Sequence, residues 1–79
     1  MAEEACKVSL CMFGLLKGQH DSTCQGAIAD YFGILVYKHG DVKWSKTATK
    51  RLSQLNSCPG VDTDKMKEVN SKFGKSWGG

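Results

Sequence analysis

Trp44-Ser45-Lys46-Thr47-Ala48-Thr49-Lys50-Arg51-Leu52-Ser53-Gln54-Leu55-Asn56, followed by Ser57-Cys58-Pro59-Gly60, is the stretch from which the fold can be read. Trp44, Ala48, Leu52 and Leu55 recur at four- and three-residue spacing and make one apolar stripe of a helix, with Lys43, Lys46 and Lys50 opposite. Ser45 is the expected N-cap. The helix should stop near Asn56, because a proline restricts the residue before it and lacks a backbone donor.

The same period extends in both directions. Val8, Cys11, Met12 and Leu15 form one face of a first helix, which Gly18 should end. Residues 17–23 are polar and read as a loop. A second helix is expected from Thr23 or Cys24 to Tyr37, carrying Cys24, Ile28, Tyr31, Phe32 and Leu35, although its tail from Ile34 could pass for a short strand. His39-Gly40-Asp41 then breaks the chain. A fourth helix, capped by Asp62 or Thr63, has Met66, Val69 and Phe73 on one face and ends at Gly74. The expected fold is therefore all-α, a small disulfide-stapled bundle of about four helices in one domain over residues 1–79, with residues 1–4 and 75–79 flexible.

Composition bounds the class. Hydrophobic residues make 41% of the chain and charged ones 24%, which is globular and not disordered. Eleven Lys and Arg against eight Asp and Glu leave a charge of +3, well below the dense basicity of a dedicated nucleic-acid binder. No apolar run is long enough to span a bilayer.

Four cysteines in 79 residues are many for a reducing cytosol, and small exported domains commonly close a thin stability margin with disulfides. The spacing Cys6-x4-Cys11-x12-Cys24-x33-Cys58 contains no CxxC, and neither His20 nor His39 has a partner at zinc-ligand spacing, so two disulfides are favoured over metal or free thiols. Short loops make successive helices antiparallel, which brings Cys11 towards Cys24 and returns Cys58 to the same side. Cys6 and Cys11 are five apart on one helix and point about 140° away from each other. The first-choice pairing is Cys11–Cys24 with Cys6–Cys58; the second is Cys6–Cys24 with Cys11–Cys58. Disulfides imply an oxidising compartment. The chain begins Met1-Ala2-Glu3-Glu4-Ala5-Cys6, without the basic and apolar regions of a signal peptide, so a mature form with the signal removed and Met1 added is expected.

Leu10-Cys11-Met12-Phe13-Gly14, Cys24, Asp30-Tyr31-Phe32-Gly33-Ile34 and Arg51-Leu52-Ser53-Gln54-Leu55-Asn56-Ser57-Cys58-Pro59-Gly60, in that order, resemble the TrbM/KikA/MpfK family of conjugal-transfer proteins. The resemblance runs from Cys6 to about Phe73, and LNSCPG is its most specific part. It implies a periplasmic accessory of plasmid transfer, linked to a type IV secretion system, and carries the family's cysteines onto Cys6, Cys11, Cys24 and Cys58. It implies no defined molecular activity.

Chemistry adds little to that. No enzyme activity, cofactor or metal is expected. Glu3 and Glu4 lie at the terminus, and Asp30 is a single helical carboxylate where a cell-wall hydrolase needs a cleft and often a pair. A Cys24 nucleophile with His20 ends if Cys24 is oxidised. Gly14 and Gly18 form no phosphate loop. Lys43, Lys46, Lys50 and Arg51, interspersed with acids elsewhere, read as a solvated helix face, so nucleic acid is not an expected partner. Aromatic residues favour interface centres, and Tyr37, Trp44 and Trp77 are the candidate partner-binding residues, with Tyr31, Tyr37 and Trp44 expected to form a surface patch at one end of the second helix. The expected function is protein contact with envelope or secretion components, of unidentified partner and oligomeric state. The alternative is an exported toxin or cell-wall-active factor.

Overall fold

Why the chain folds as it does is clearest at its turns. The computed structural model describes residues 5–78. Helix α1 (Ala5–Leu16) ends as expected at Gly18, whose φ of 82° lets the Gln19 amide reach the Gly14 carbonyl (2.9 Å) and the Gly18 amide the Leu15 carbonyl (3.0 Å). That pair of bonds is the left-handed helix stop that glycine favours. A 3-10 turn (Ser22–Cys24), capped by the Asp21 carboxylate on the Thr23 amide, leads into α2 (Gln25–Phe32).

Helix α2 is shorter than the sequence suggested, stopping at Phe32 and not at Tyr37. A continuing helix would give the Phe32 carbonyl to the Val36 amide. Instead Phe32 and Ile34 give their carbonyls to Arg51, and the Val36 amide donates to Thr47 Oγ1 at 2.9 Å. The chain then forms a small antiparallel hairpin, β1 (Tyr37–Lys38) and β2 (Asp41–Val42), with Tyr37 opposite Val42. Its two turn residues, His39 and Gly40, both have positive φ, 54° and 82°, matching the turn whose twist suits a tight hairpin. The architecture is thus mostly helical with one minor hairpin, a correction to the all-α expectation.

Helix α3 (Trp44–Asn56) starts one residue before the expected cap; Lys43 occupies the cap position without a side-chain bond, and Ser45 lies inside the first turn. Cys58-Pro59-Gly60-Val61 is a tight turn, closed by the Val61 amide on the Cys58 carbonyl (3.2 Å) with Gly60 at φ 78°. Proline then glycine at the two central positions suits that geometry. Asp62 caps α4 (Thr63–Phe73) by accepting from the amides of Asp64 and Lys65.

The core joins all four helices: Val8 and Met12 of α1, Ala27 and Tyr31 of α2, Leu55 of α3 and Val69 of α4 are fully buried. The stripe of α3 facing this core is Thr47, Arg51 and Leu55, turned by about one residue from the apolar set read in the sequence. Ala48 and Leu52 are only half-buried.

Candidate functional site

The four cysteines come together as two bridges, Cys6–Cys58 and Cys11–Cys24, with Cα separations of 4.6 and 5.5 Å. The first ties the start of α1 to the turn after α3, and the second ties α1 to the entry of α2. This is the first of the two pairings weighed from the sequence.

The buried side chain that organises the rest is Arg51, which the sequence places in a solvated basic face. It is fully buried. Its Nε donates to the Ile34 carbonyl (3.0 Å) and Nη2 to Phe32 (3.0 Å), both just at or past the end of α2. Nη1 donates to Phe73 (2.9 Å) and Ser76 (2.7 Å), with the Gly74 carbonyl at 3.3 Å, at the end of α4. Helix C-termini carry roughly −0.5 charge each, so two of them offset one guanidinium with no carboxylate among these partners. The guanidinium carbon also lies 5.3 Å from the ring centres of Tyr31 and Phe32 and 5.8 Å from that of Trp44, within cation–π range. Burial pushes the Arg51 pKa down, with Tyr31 acting the other way. It remains a cation at neutral pH.

Tyr31 belongs to this buried centre and not to a surface patch. Its hydroxyl donates to Asn70 Oδ1 (2.7 Å), while Asn70 Nδ2 donates to the Ala48 carbonyl (2.9 Å), linking α2, α4 and α3. Burial pushes the Tyr31 pKa up to about 12, opposed by the nearby Arg51 charge. Phe32 meets Tyr31 and Phe73 edge-on at 5.2 and 5.8 Å.

Of the three candidate partner-binding aromatics, two meet. Trp77 sits edge-on to Trp44 with ring centres 5.3 Å apart, yet is 65% exposed. Tyr37 stands on the hairpin, exposed, and among the described residues makes no ring contact with either. Within residues 75–78, Arg51 bonds the Ser76 carbonyl and Trp77 meets Trp44; residues 1–4 and 79, also expected to be flexible, lie outside the described residues.

A second surface was not anticipated. At the C-terminal end of α3, Leu10, Phe13, Val61, Met66 and the Cys6–Cys58 bridge line an open groove of about 310 Å³. Leu10 is 75% exposed, the most exposed large apolar side chain among the described residues. It falls off the apolar stripe of α1, and an apolar residue out of phase with its helix is the signal that could have revealed it.

The TrbM family model matches residues 2–76, nearly the whole chain. The chain belongs to the TrbM family. Association with conjugal transfer follows from that membership. No curated protein and no solved structure matches it. No helix among the described residues is long and apolar enough to cross a membrane.

Proposed function

We propose that this TrbM-family chain is an exported, periplasmic accessory of plasmid conjugative transfer that serves a type IV secretion system through protein contacts. The observation that carries the proposal is the pairing of all four cysteines into bridges in a 79-residue chain of this family. Disulfides form and persist in oxidising compartments such as the periplasm. Two exposed apolar features, the Trp44–Trp77 pair and the Leu10 groove, support contact with other proteins. The reading is of a binding protein and not an enzyme: the buried titratable groups, Arg51 and Tyr31, are engaged in holding helices together.

The test uses donor cells lacking the gene, given back either a copy sent to the periplasm by a cleavable signal or a copy retained in the cytosol by fusion to a cytosolic protein. The expected outcome is that only the exported copy restores transfer, and that its thiols can be alkylated only after reduction, as read by intact mass. Restoration by the cytosolic copy with free thiols would overturn the proposal. Soluble muropeptides released from isolated peptidoglycan by the pure protein would favour a cell-wall-active factor instead.

A further inference from the structure

The groove beside the Cys6–Cys58 bridge combines an apolar lining with positive charge gathered at its Phe13 end. Phe13 forms part of its wall. Over that single ring lie two ammonium groups, Lys17 Nζ at 5.3 Å and Lys65 Nζ at 5.4 Å from the centroid. Both lysines are exposed, and neither has a carboxylate partner among the described residues. The carboxylate that also lines the groove, Asp62, keeps its charge but caps α4, accepting from the amides of Asp64 and Lys65, where the positive end of the helix dipole partly offsets it. The ring stabilises each ammonium without neutralising it. A ligand carboxylate would supply the missing counter-charge, and a neighbouring apolar side chain would cover Leu10.

We propose that this groove, walled by Leu10, Phe13, Val61 and Met66, with Lys65 in its lining and Lys17 beside it on the Phe13 ring, docks a partner protein through an apolar segment flanked by acidic residues. This rests on the protein-contact reading above and names the chemistry of the contact. The bridge and the Cys58-Pro59-Gly60 turn hold one wall rigid, so little ordering is needed on this side when the segment binds.

The probe is a blocked peptide with a Leu-Phe centre flanked on both sides by glutamates, titrated into the oxidised, isotope-labelled protein and followed by amide chemical shifts. Its counterpart carries lysines in place of the glutamates. Shifts should concentrate at Leu10, Phe13, Val61 and Met66, with the acidic peptide bound about tenfold more tightly than the basic one. K17E/K65E should reverse that preference, and L10S should weaken the acidic peptide about tenfold with a well-dispersed spectrum retained, because Leu10 lies outside the core. Equal affinity for both peptides, no binding of either, or shifts confined to Trp44 and Trp77 would overturn the proposal. So would concentration-dependent pairing of the protein through Leu10, which would make a second copy the occupant. Binding seen only after Glu3 and Glu4 are changed to Gln would assign the groove to the chain's own start, and would overturn it equally. These outcomes are read on purified protein; failure of the exported copy to restore transfer bears on the periplasmic reading alone.

Discussion

The two ends of α3 are fastened by different physics. At its C-terminal end, Cys58 is bonded to Cys6, and the Ser9 hydroxyl lies 2.7 Å from the Leu55 carbonyl. From mid-helix, and reaching back to the Trp44 ring at the N-terminal end, the other fastening is non-covalent: the Arg51 guanidinium gathers carbonyls from the ends of α2 and α4 among a cluster of aromatic rings. A disulfide acts largely on the unfolded chain, by closing a loop. The guanidinium acts on the folded state alone, since its acceptors converge only there. A chain this small therefore divides its stability between a fastening that a reductant removes and one that only a substitution removes.

The largest expected effect is loss of both bridges. In the chain-entropy model, sequence separations of 52 and 13 correspond to about 4 and 3 kcal/mol. Their sum is comparable to the whole stability of a small domain, typically about 5–15 kcal/mol. Reduction, or serine at all four positions, should abolish the helical circular dichroism at ambient temperature. A reduced protein that still melts cooperatively at the oxidised Tm would break the comparison at its covalent side.

Next is R51A, measured by denaturant midpoint with both bridges intact. It strands buried carbonyls of Phe32, Ile34 and Phe73, and should cost about 3–5 kcal/mol. R51K keeps the charge but not the planar fork, and should recover only part of the loss. Full recovery by lysine would mean that charge alone holds this end.

Y31F comes third. Tyr31 titrates from an ordinary value of 10 in the unfolded chain to about 12 when folded. The folded state therefore holds the proton more tightly, so this contribution is intact below pH 10 and is lost as pH rises through 12. Y31F should remove that alkaline loss from the pH-dependence of unfolding, while costing about 1 kcal/mol at neutral pH through the bond to Asn70. An unchanged alkaline limb in Y31F would mean that another group sets it. The smallest effect belongs to W77A: Trp77 is largely exposed, so its edge contact with Trp44 is worth about 0.5 kcal/mol, and Ser76 stays on Arg51. It should alter Trp44 fluorescence more than the Tm; a drop in Tm as large as that of R51A would show the tail to be integral to the core.

Much of this was legible from residues. The helical period of α1, α3 and α4, the stops at Gly18, Pro59 and Gly74, and the cap at Asp62 all follow from local rules that tertiary packing did not override. What was not legible has one cause. Arg51 stands beside Lys50 in a run that reads as solvent-facing, and nothing local says that carbonyls from residues 32–34 and 73–76 will converge on it. Once they do, α2 loses the acceptor that would have prolonged it, Thr47 turns inward to take the Val36 amide, and Tyr31 is covered. The end of α2, the buried face of α3 and the Tyr31 placement are one long-range event. The partner surfaces divide likewise: Trp77 is visible as an aromatic without a helix, whereas the Leu10 groove needs α1 and the turn after α3 placed together.

The acceptors of Arg51 are peptide carbonyls, and that has a consequence outside folding. An arginine paired with aspartate or glutamate loses its partner as the medium acidifies, because the carboxylate takes up a proton. A carbonyl takes up none in that range. The Arg51 fastening therefore has no partner to lose between neutral and mildly acidic pH, and because it is buried, added salt screens it little. Within an oxidising medium, this part of the molecule therefore keeps its internal geometry across that range of pH and salt.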